Sequence, residues 1–218
     1  MAIKFKEKIS TLFKLNFKTF SALLSQAYSG YLIDNGWFGS FNTDSAIDKN
    51  GNPIPWTTYP FIDFIKVRLK NTFAVFEFGS GSSTLFYAAH VYQVVSVEHD
   101  KRWFDKVNEK VPKNVKLILK ELNVVKSYSE VLTEINQNFQ IIVVDGLERV
   151  KCIRNSIEYL SNDGIIILDD SERQEYEEAI IFLKKIGFKQ IDFWGIAPCV
   201  LFKKCTSIFY RTNNCLGI

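Results

Sequence analysis

The sequence predicts one α/β domain built around a mostly parallel sheet. From about residue 61 onward, short apolar runs alternate with segments of helical periodicity. Several of the runs are apolar at nearly every position, as in strands that helices cover on both faces. Near the carboxyl terminus two strand-like segments follow each other without a helix between them, which indicates an antiparallel pair. With 218 residues, 47% of them hydrophobic, the chain can form a single large core.

The elements of this domain follow one another in a regular order. Five strands are predicted at residues 73–78, 93–97, 115–119, 140–144 and 164–168. Apolar residues at intervals of three and four predict helices at residues 61–70, 83–90, 102–109, 129–136, 149–160 and 173–185. Trp103, in the third of these helices, is expected in the core. The terminal antiparallel strands are predicted at residues 187–196 and 206–211.

Residues 1–60 form an extension of a different character. Residues 3–28 combine apolar positions at helical spacing with several lysines, which predicts a basic amphipathic helix. Such a helix either packs on its own domain with its lysines in solvent or contacts an anionic membrane. Residues 30–60, rich in glycine, proline and aromatic rings, are expected to form an irregular loop. This loop either covers the substrate side of a pocket or closes the edge of the domain.

Composition excludes several classes of function. The net charge of +3 does not indicate nucleic-acid binding, and no run reaches the roughly 18 apolar residues of a membrane span. Lysines interrupt the start of the chain, so no signal peptide is expected. The cysteines show no CxxC spacing, which favours a reduced, cytoplasmic protein. The apolar tail at residues 209–218 either packs on the body or contributes to a homo-oligomer.

The clearest functional signal is a glycine turn after the first strand, in the sequence Glu77-Phe-Gly-Ser-Gly-Ser-Ser-Thr84. Gly79 and Gly81 permit a sharp turn and the close approach of a ligand to the backbone. Ser83 and Thr84 can cap the next helix, whose amino end favours a carboxylate or a phosphate. The segment is therefore expected to bind a cofactor.

Two carboxylates indicate which cofactor binds. Glu98 ends the second strand, where a carboxylate can accept two hydrogen bonds from a ribose diol. Thr84 stands where a dinucleotide fingerprint has its third glycine, and Glu77 would repel a pyrophosphate. S-adenosylmethionine has both a ribose diol and a cationic amino acid tail, which Glu77 would favour. His99 is expected beside the adenosine.

These residues carry a resemblance. The segment at 77–84 resembles motif I of the class I S-adenosylmethionine-dependent methyltransferases, and Val97-Glu-His-Asp100 resembles the acidic end of their second strand. The resemblance covers about residues 72–211. It implies a Rossmann-like, doubly wound sheet of seven strands with a reversed last strand, and a cofactor bound over strands one and two.

A second group of carboxylates follows strands four and five. Asp145 ends strand four, and Asp169 and Asp170 end strand five, so all three are expected above one crevice. They would repel one another unless a positive group lay between them. A hard cation such as Mg²⁺ fits that requirement, which makes the three aspartates candidate metal ligands. Alternatively, Asp145 contacts the cofactor or the substrate, and the Asp169-Asp170 pair caps a helix.

This arrangement is similar to that of the cation-dependent O-methyltransferases of the catechol and caffeoyl-CoA type. The sequence departs from their pattern in two places: Asp170 replaces an asparagine, and Glu148 and Arg149 stand where those enzymes have a lysine base. Without a metal, the candidate general bases are Asp145, Asp170 and His99.

The predicted function is transfer of a methyl group to a hydroxyl of a small molecule. Rings such as Trp37 and Trp56 suit a sugar or glycan precursor, and also a phenol. An aminopropyltransferase resembling spermidine synthases, an NAD-dependent dehydrogenase and a non-catalytic methyltransferase-like binding protein are the alternatives.

Overall fold

The computed structural model describes residues 16–121 and 128–218, and its centre is a seven-stranded sheet in the order β3-β2-β1-β4-β5-β7-β6. The strands are β1 (Ala74–Phe78), β2 (Gln93–Glu98), β3 (Val115–Leu119), β4 (Phe139–Val144), β5 (Leu160–Asp169), β6 (Lys189–Ala197) and β7 (Val200–Tyr210). The first five are parallel, and β7 pairs antiparallel with both β5 and β6. The predicted fold class is confirmed.

Helices lie between these strands and in the extension. The α-helices are α1 (Phe17–Ser25), α2 (Tyr31–Asp34), α3 (Trp37–Thr43), α4 (Tyr59–Lys66), α5 (Ser82–Ala88), α6 (Lys101–Asn108), α7 (Arg149–Ser156) and α8 (Glu177–Lys185). Short 3₁₀ segments occupy Tyr128–Glu134, Ile157–Tyr159 and Gln174–Tyr176. The helix predicted at residues 129–136 is therefore a 3₁₀ helix. The one predicted at 149–160 is shorter, because β5 begins early, where Leu160 pairs with Phe139.

The core lies on both faces of the sheet. On one face Val75 packs with Phe61 and Ile65 of the α4 region. On the other face Phe76 packs in a second cluster with Leu132. Adjacent residues of β1 thus point into different apolar layers, which explains why this strand is apolar at nearly every position.

The strand order reverses at β1, which lies between β2 and β4. In open α/β sheets such a reversal opens a crevice at the carboxyl ends of the strands, because the connecting helices leave on opposite faces. Glu77 sits in register with Ser96 of β2 and Val143 of β4. The glycine turn and the ends of β2 and β4 therefore meet at this crevice.

The extension is more ordered than the sequence predicts. Residues 30–60 were expected to be irregular, but α2 and α3 lie within them. Trp37 of α3 is 6% exposed, and its Nε1 donates a hydrogen bond to the carbonyl of Val200 at 3.1 Å. Its ring stacks on Phe41. Trp37 therefore closes the domain edge and is not a free platform for a substrate; Trp56 remains partly exposed.

The amphipathic helix predicted at residues 3–28 is described only from residue 16 onward. There α1 exists, and it contains no buried residue. Residues 3–15 lie outside the described part of the chain, and membrane contact through this segment stays a prediction. Within residues 16–121 and 128–218, no helix has the length and apolarity needed to cross a bilayer.

The carboxyl-terminal tail packs on its own domain. Cys215 and Leu216 are buried, and the backbone N–H of Cys215 donates to the carbonyl of Asp163 at 2.7 Å. This favours the interpretation that the apolar tail packs on the body of the domain over the interpretation that it contributes to a homo-oligomer.

Candidate active site

The turn after β1 brings three strand ends together. Gly79 has φ of 103°, a conformation that favours glycine, and its N–H donates to the carbonyl of Val97 at 3.0 Å. Across the turn lies Gly146, directly after β4. A side chain there would collide with the hydroxyl of Tyr128. Glycine at both positions lets the ends of β1, β2 and β4 approach closely.

Glu77 lies at the bottom of this turn and is 1% exposed. Its Oε2 accepts hydrogen bonds from the hydroxyls of Thr84 at 2.5 Å and Ser96 at 3.1 Å, and the Thr84 hydroxyl accepts one from the Gly81 N–H at 3.0 Å. Its other oxygen, Oε1, is buried and accepts no well-formed hydrogen bond from the described residues. Burial raises the pKa of Glu77 to about 7, although the hydroxyls of Ser83, Thr84 and Ser96 oppose the shift. A cationic or hydrogen-bond-donating ligand would complete the environment of this carboxylate.

Glu98 is held in one orientation by neutral donors. Its Oε1 accepts from the backbone N–H groups of His99 at 2.8 Å and Asp100 at 3.0 Å, and its Oε2 accepts from the hydroxyl of Ser80 at 2.8 Å. The His99 Nδ1 lies 3.0 Å from Oε1. Carboxylate oxygens have two lone pairs each, so acceptor capacity remains for a ligand.

These groups line one cleft of about 370 Å³. Its lining residues are Glu77, Gly79, Ser80, Ser83, Glu98, His99, Asp100, Trp103, Asp145 and Gly146. The structure thus brings most of the predicted cofactor-binding residues together, and Gly81 and Thr84 lie at the start of α5. The prediction that Trp103 lies in the core is wrong: its side chain is 44% exposed and donates a hydrogen bond from Nε1 to the carbonyl of Ser80 at 2.7 Å.

The acidic group at the ends of β4 and β5 has a different environment. Asp169 accepts a hydrogen bond from the Thr206 hydroxyl on Oδ1 at 2.6 Å, and its Oδ2 lies 2.6 Å from the Lys204 ammonium. Asp170 pairs with the same ammonium at 2.7 Å and with the Arg173 guanidinium at 2.6 Å. Both aspartates are buried, and neither lines the cleft.

Asp145 faces the cleft, with Arg149 behind it. The Arg149 guanidinium donates to Asp145 Oδ1 at 3.1 Å, to the carbonyl of Asp169 at 2.5 Å and to the carbonyl of Gly146 at 3.0 Å. Arg149 is buried. Because it donates hydrogen bonds to residues at both strand ends, it connects the end of β4 to the end of β5. Burial and the neighbouring Asp169 raise the pKa of Asp145, and Arg149 opposes this shift.

The residues present do not fit a divalent ion at Asp145, Asp169 and Asp170. The positive charge that these carboxylates require is supplied by Lys204, Arg149 and Arg173. Within the described ranges, no group of three or more histidine, cysteine, aspartate and glutamate side chains is arranged to hold a metal ion. The predicted metal site is therefore not supported.

Sequence reasoning did not identify Lys204, Thr206 or a structural role for Arg149. Lys204 and Thr206 belong to a distant strand, and no local motif marks them. The sequence marks Arg149 as the start of a helix and as a departure, with Glu148, from the lysine base of the cation-dependent O-methyltransferases, but not as a link between two strand ends.

Comparisons with known proteins bear on the fold. No family model matches this chain, and no curated protein matches it. A putative caffeoyl-CoA O-methyltransferase from Staphylococcus aureus is similar in structure, with a TM-score of 0.57, 15% identity, and coverage of 89% of this chain and 98% of that one. A precorrin-6y C5,15-methyltransferase from Geobacter metallireducens gives 0.58 at 14% identity, covering 78% and 96%.

An rRNA methylase from Streptococcus thermophilus matches with a TM-score of 0.55 at 14% identity, covering 70% of this chain and 96% of that one. At these identities the likeness concerns the architecture and not the acceptor. The chain has the Rossmann-like fold of the class I S-adenosylmethionine-dependent methyltransferases.

Proposed function

We propose that the protein is an S-adenosylmethionine-dependent methyltransferase that transfers a methyl group to a hydroxyl of a small molecule. The observation that carries the proposal is the buried Oε1 of Glu77, which accepts no well-formed hydrogen bond from the described residues and belongs to a residue that lines the cleft. A buried carboxylate oxygen is costly unless it is paired, so its position indicates a ligand with a positive or hydrogen-bond-donating group.

Glu98 supports the same assignment from the other side of the turn. The two backbone N–H groups and the Ser80 hydroxyl hold its carboxylate still, which suits it to accept hydrogen bonds from a ribose diol. In the proposed complex the ammonium of the cofactor's amino acid tail lies toward Glu77. The adenosine lies beside His99 and Trp103, which line the same cleft.

Asp145 is the favoured general base. It faces the cleft, whereas Asp170 is engaged with Lys204 and Arg173, and His99 stands beside Glu98. S-adenosylmethionine, when bound, would supply the methyl group and would leave as the neutral thioether S-adenosylhomocysteine. The acceptor hydroxyl oxygen would form the bond to the methyl carbon while Asp145 takes the hydroxyl proton. A carboxylate with a raised pKa suits this role, because the ideal base has a pKa near the working pH.

The acceptor is proposed to bind on the side of Trp56. This residue is 42% exposed, and its carbonyl lies 3.4 Å from the Lys204 ammonium, near the carboxyl end of β5. An exposed indole can stack on a sugar ring or on a phenol. Both classes of acceptor therefore belong in a substrate screen.

Ligand binding tests the proposal directly. Calorimetry with S-adenosylhomocysteine, NAD and decarboxylated S-adenosylmethionine should show preference for S-adenosylhomocysteine, because only this ligand has both the ribose diol and the complete amino acid tail. Decarboxylated S-adenosylmethionine separates a methyltransferase from an aminopropyltransferase. Binding of NAD alone, or preference for the decarboxylated ligand, would contradict the proposal.

A further inference from the structure

The ammonium of Lys204 has the surroundings of a bound cation. Three oxygens converge on its Nζ: Asp169 Oδ2 at 2.6 Å, Asp170 Oδ1 at 2.7 Å and the carbonyl of Trp56 at 3.4 Å. Lys204 is 6% exposed, so this charge is almost withdrawn from solvent. Two carboxylates and a carbonyl are the donor types that a hard divalent cation also prefers.

The remaining oxygens of the two carboxylates are satisfied as well. Thr206 donates to Asp169 Oδ1 at 2.6 Å, and Arg173 pairs with Asp170 Oδ2 at 2.6 Å. A divalent ion at this place would have to displace the ammonium or add a like charge beside it. Either change is unfavourable, because a displaced buried ammonium loses its partners and two adjacent cations repel each other.

The same side chains hold the segment before α4 (Tyr59–Lys66). The Thr206 hydroxyl accepts a hydrogen bond from the backbone N–H of Thr58 at 3.1 Å, and Lys204 lies within hydrogen-bond reach of the Trp56 carbonyl. Thr58 in turn donates from its hydroxyl to the carbonyl of Phe193 in β6 at 2.9 Å. Residues 56–58 are thus fixed against β6, β7 and, through Asp169, the end of β5.

We propose that the Lys204 ammonium is the resident cation of this acidic cluster. It occupies the place where the resemblance to the cation-dependent O-methyltransferases predicts a divalent metal ion. Lys204 is a positioning residue: it neutralises Asp169 and Asp170 and anchors the segment that carries Trp56. The inference concerns the cluster alone and does not depend on the proposed function.

The proposal predicts that removing the ammonium creates a metal site. In Lys204→Ala, Asp169 and Asp170 face an empty space, so Mn²⁺ should bind there and restore stability. Thermal unfolding in EDTA should show a melting temperature several degrees below that of the wild type, and millimolar Mn²⁺ should recover most of the loss. Lys203→Ala is the matched control, since Lys203 directly precedes Lys204 in β7 and its ammonium lies 4.5 Å from the centre of the exposed Trp194 ring. That control should not respond to Mn²⁺.

The wild type provides a test that does not depend on any variant folding. Calorimetric titration of Mn²⁺ into wild-type protein, with and without S-adenosylhomocysteine, should give no binding that involves the cluster. Wild-type Mn²⁺ binding that disappears in Asp169→Asn would overturn the proposal. A folded Lys204→Ala protein that Mn²⁺ does not stabilise would overturn it too. Because the titration without ligand requires no cofactor, failure here is distinguishable from failure of the proposed function.

Discussion

The carboxyl edge of the sheet has a β1–β2 half, at the ends of β1 and β2, and a β4–β5 half, at the ends of β4 and β5. The two halves hold their carboxylates in opposite ways. At the ends of β1 and β2, Glu77 and Glu98 accept hydrogen bonds from hydroxyls and backbone N–H groups. At the ends of β4 and β5, Asp169 and Asp170 face the side chains of Lys204 and Arg173. Neutral donors orient a carboxylate but leave its charge to attract a ligand, whereas a cation neutralises it. The partners of an acid therefore indicate its role better than its place at a strand end does.

Asp145 lies between the two halves and combines both features. It lines the cleft, as Glu77 and Glu98 do, and it also pairs with a buried arginine. Such a carboxylate has a fixed orientation and remains accessible to a molecule bound in the cleft. This intermediate position favours Asp145 over Asp169 and Asp170 for a chemical role.

The largest effect should come from neutralising the cation of the β4–β5 half. Lys204→Met leaves two buried carboxylates without their shared partner, which should reduce the free energy of unfolding by about 3–5 kcal/mol. The affinity for S-adenosylhomocysteine should change little. Urea denaturation and calorimetry measure the two quantities, with Lys203→Met as control. A loss of affinity without a loss of stability would contradict the division between the two halves.

The converse change is Glu98→Gln in the β1–β2 half. The amide keeps the size of the side chain but loses its charge and one acceptor oxygen, which should weaken S-adenosylhomocysteine binding by about 1.5–3 kcal/mol, or roughly 10- to 150-fold in Kd. Asp105→Asn is the control, because Asp105 is an exposed residue of α6 that pairs with Lys101. An unchanged dissociation constant in Glu98→Gln would refute the ribose assignment.

Glu77→Gln should separate stability from binding. In the unfolded chain this carboxyl ionises near its ordinary pKa of 4.5, but in the folded protein near 7. Between these values the folded state keeps a proton that the unfolded state has lost, so the contribution of Glu77 to stability falls as pH rises through this window. Without ligand, the variant should therefore be more stable than the wild type at pH 8 by about 1–3 kcal/mol, and equally or less stable at pH 4.

The same variant should bind S-adenosylhomocysteine more weakly, because the amide offers no charge to the ammonium of the ligand. Urea denaturation at both pH values and calorimetry at pH 8 measure these effects. A variant that is less stable than the wild type at pH 8 would contradict the assigned environment of Glu77.

The smallest effect is expected at the exposed edge of the β4–β5 half. Arg173 pairs with Asp170, but its side chain is 52% exposed, so solvent screens the interaction. Arg173→Gln should change the free energy of unfolding by about 1 kcal/mol or less, far below the effect of Lys204→Met. Equal effects in the two variants would show that burial does not distinguish these cations.

The β1–β2 half could be predicted from the sequence because the residues that form it lie close together in the chain. The glycine turn, Glu77 before it and Glu98 at the next strand end lie within one strand–helix–strand unit, whose topology places both acids at the same edge. That Oε1 of Glu77 accepts no well-formed hydrogen bond from the described residues could not be predicted, since it depends on which hydroxyls reach the carboxylate in the folded protein.

The β4–β5 half could be predicted from the sequence only in part. The sequence alone determined the α/β class, the order of strands and helices, the turn that forms the cleft, and the need for a positive charge near Asp145, Asp169 and Asp170. These follow from hydrophobic periodicity and from the rule that parallel strands end at one edge.

Only the tertiary structure decided what supplies that charge. The antiparallel register of β5 and β7 sets Asp169 opposite Thr206, which brings Lys204 into the acidic cluster. It also decided that Trp37 is buried against Val200 while Trp56 stays partly exposed. Pairing between strands distant in sequence depends on the packing of the whole sheet, and no local pattern specifies it.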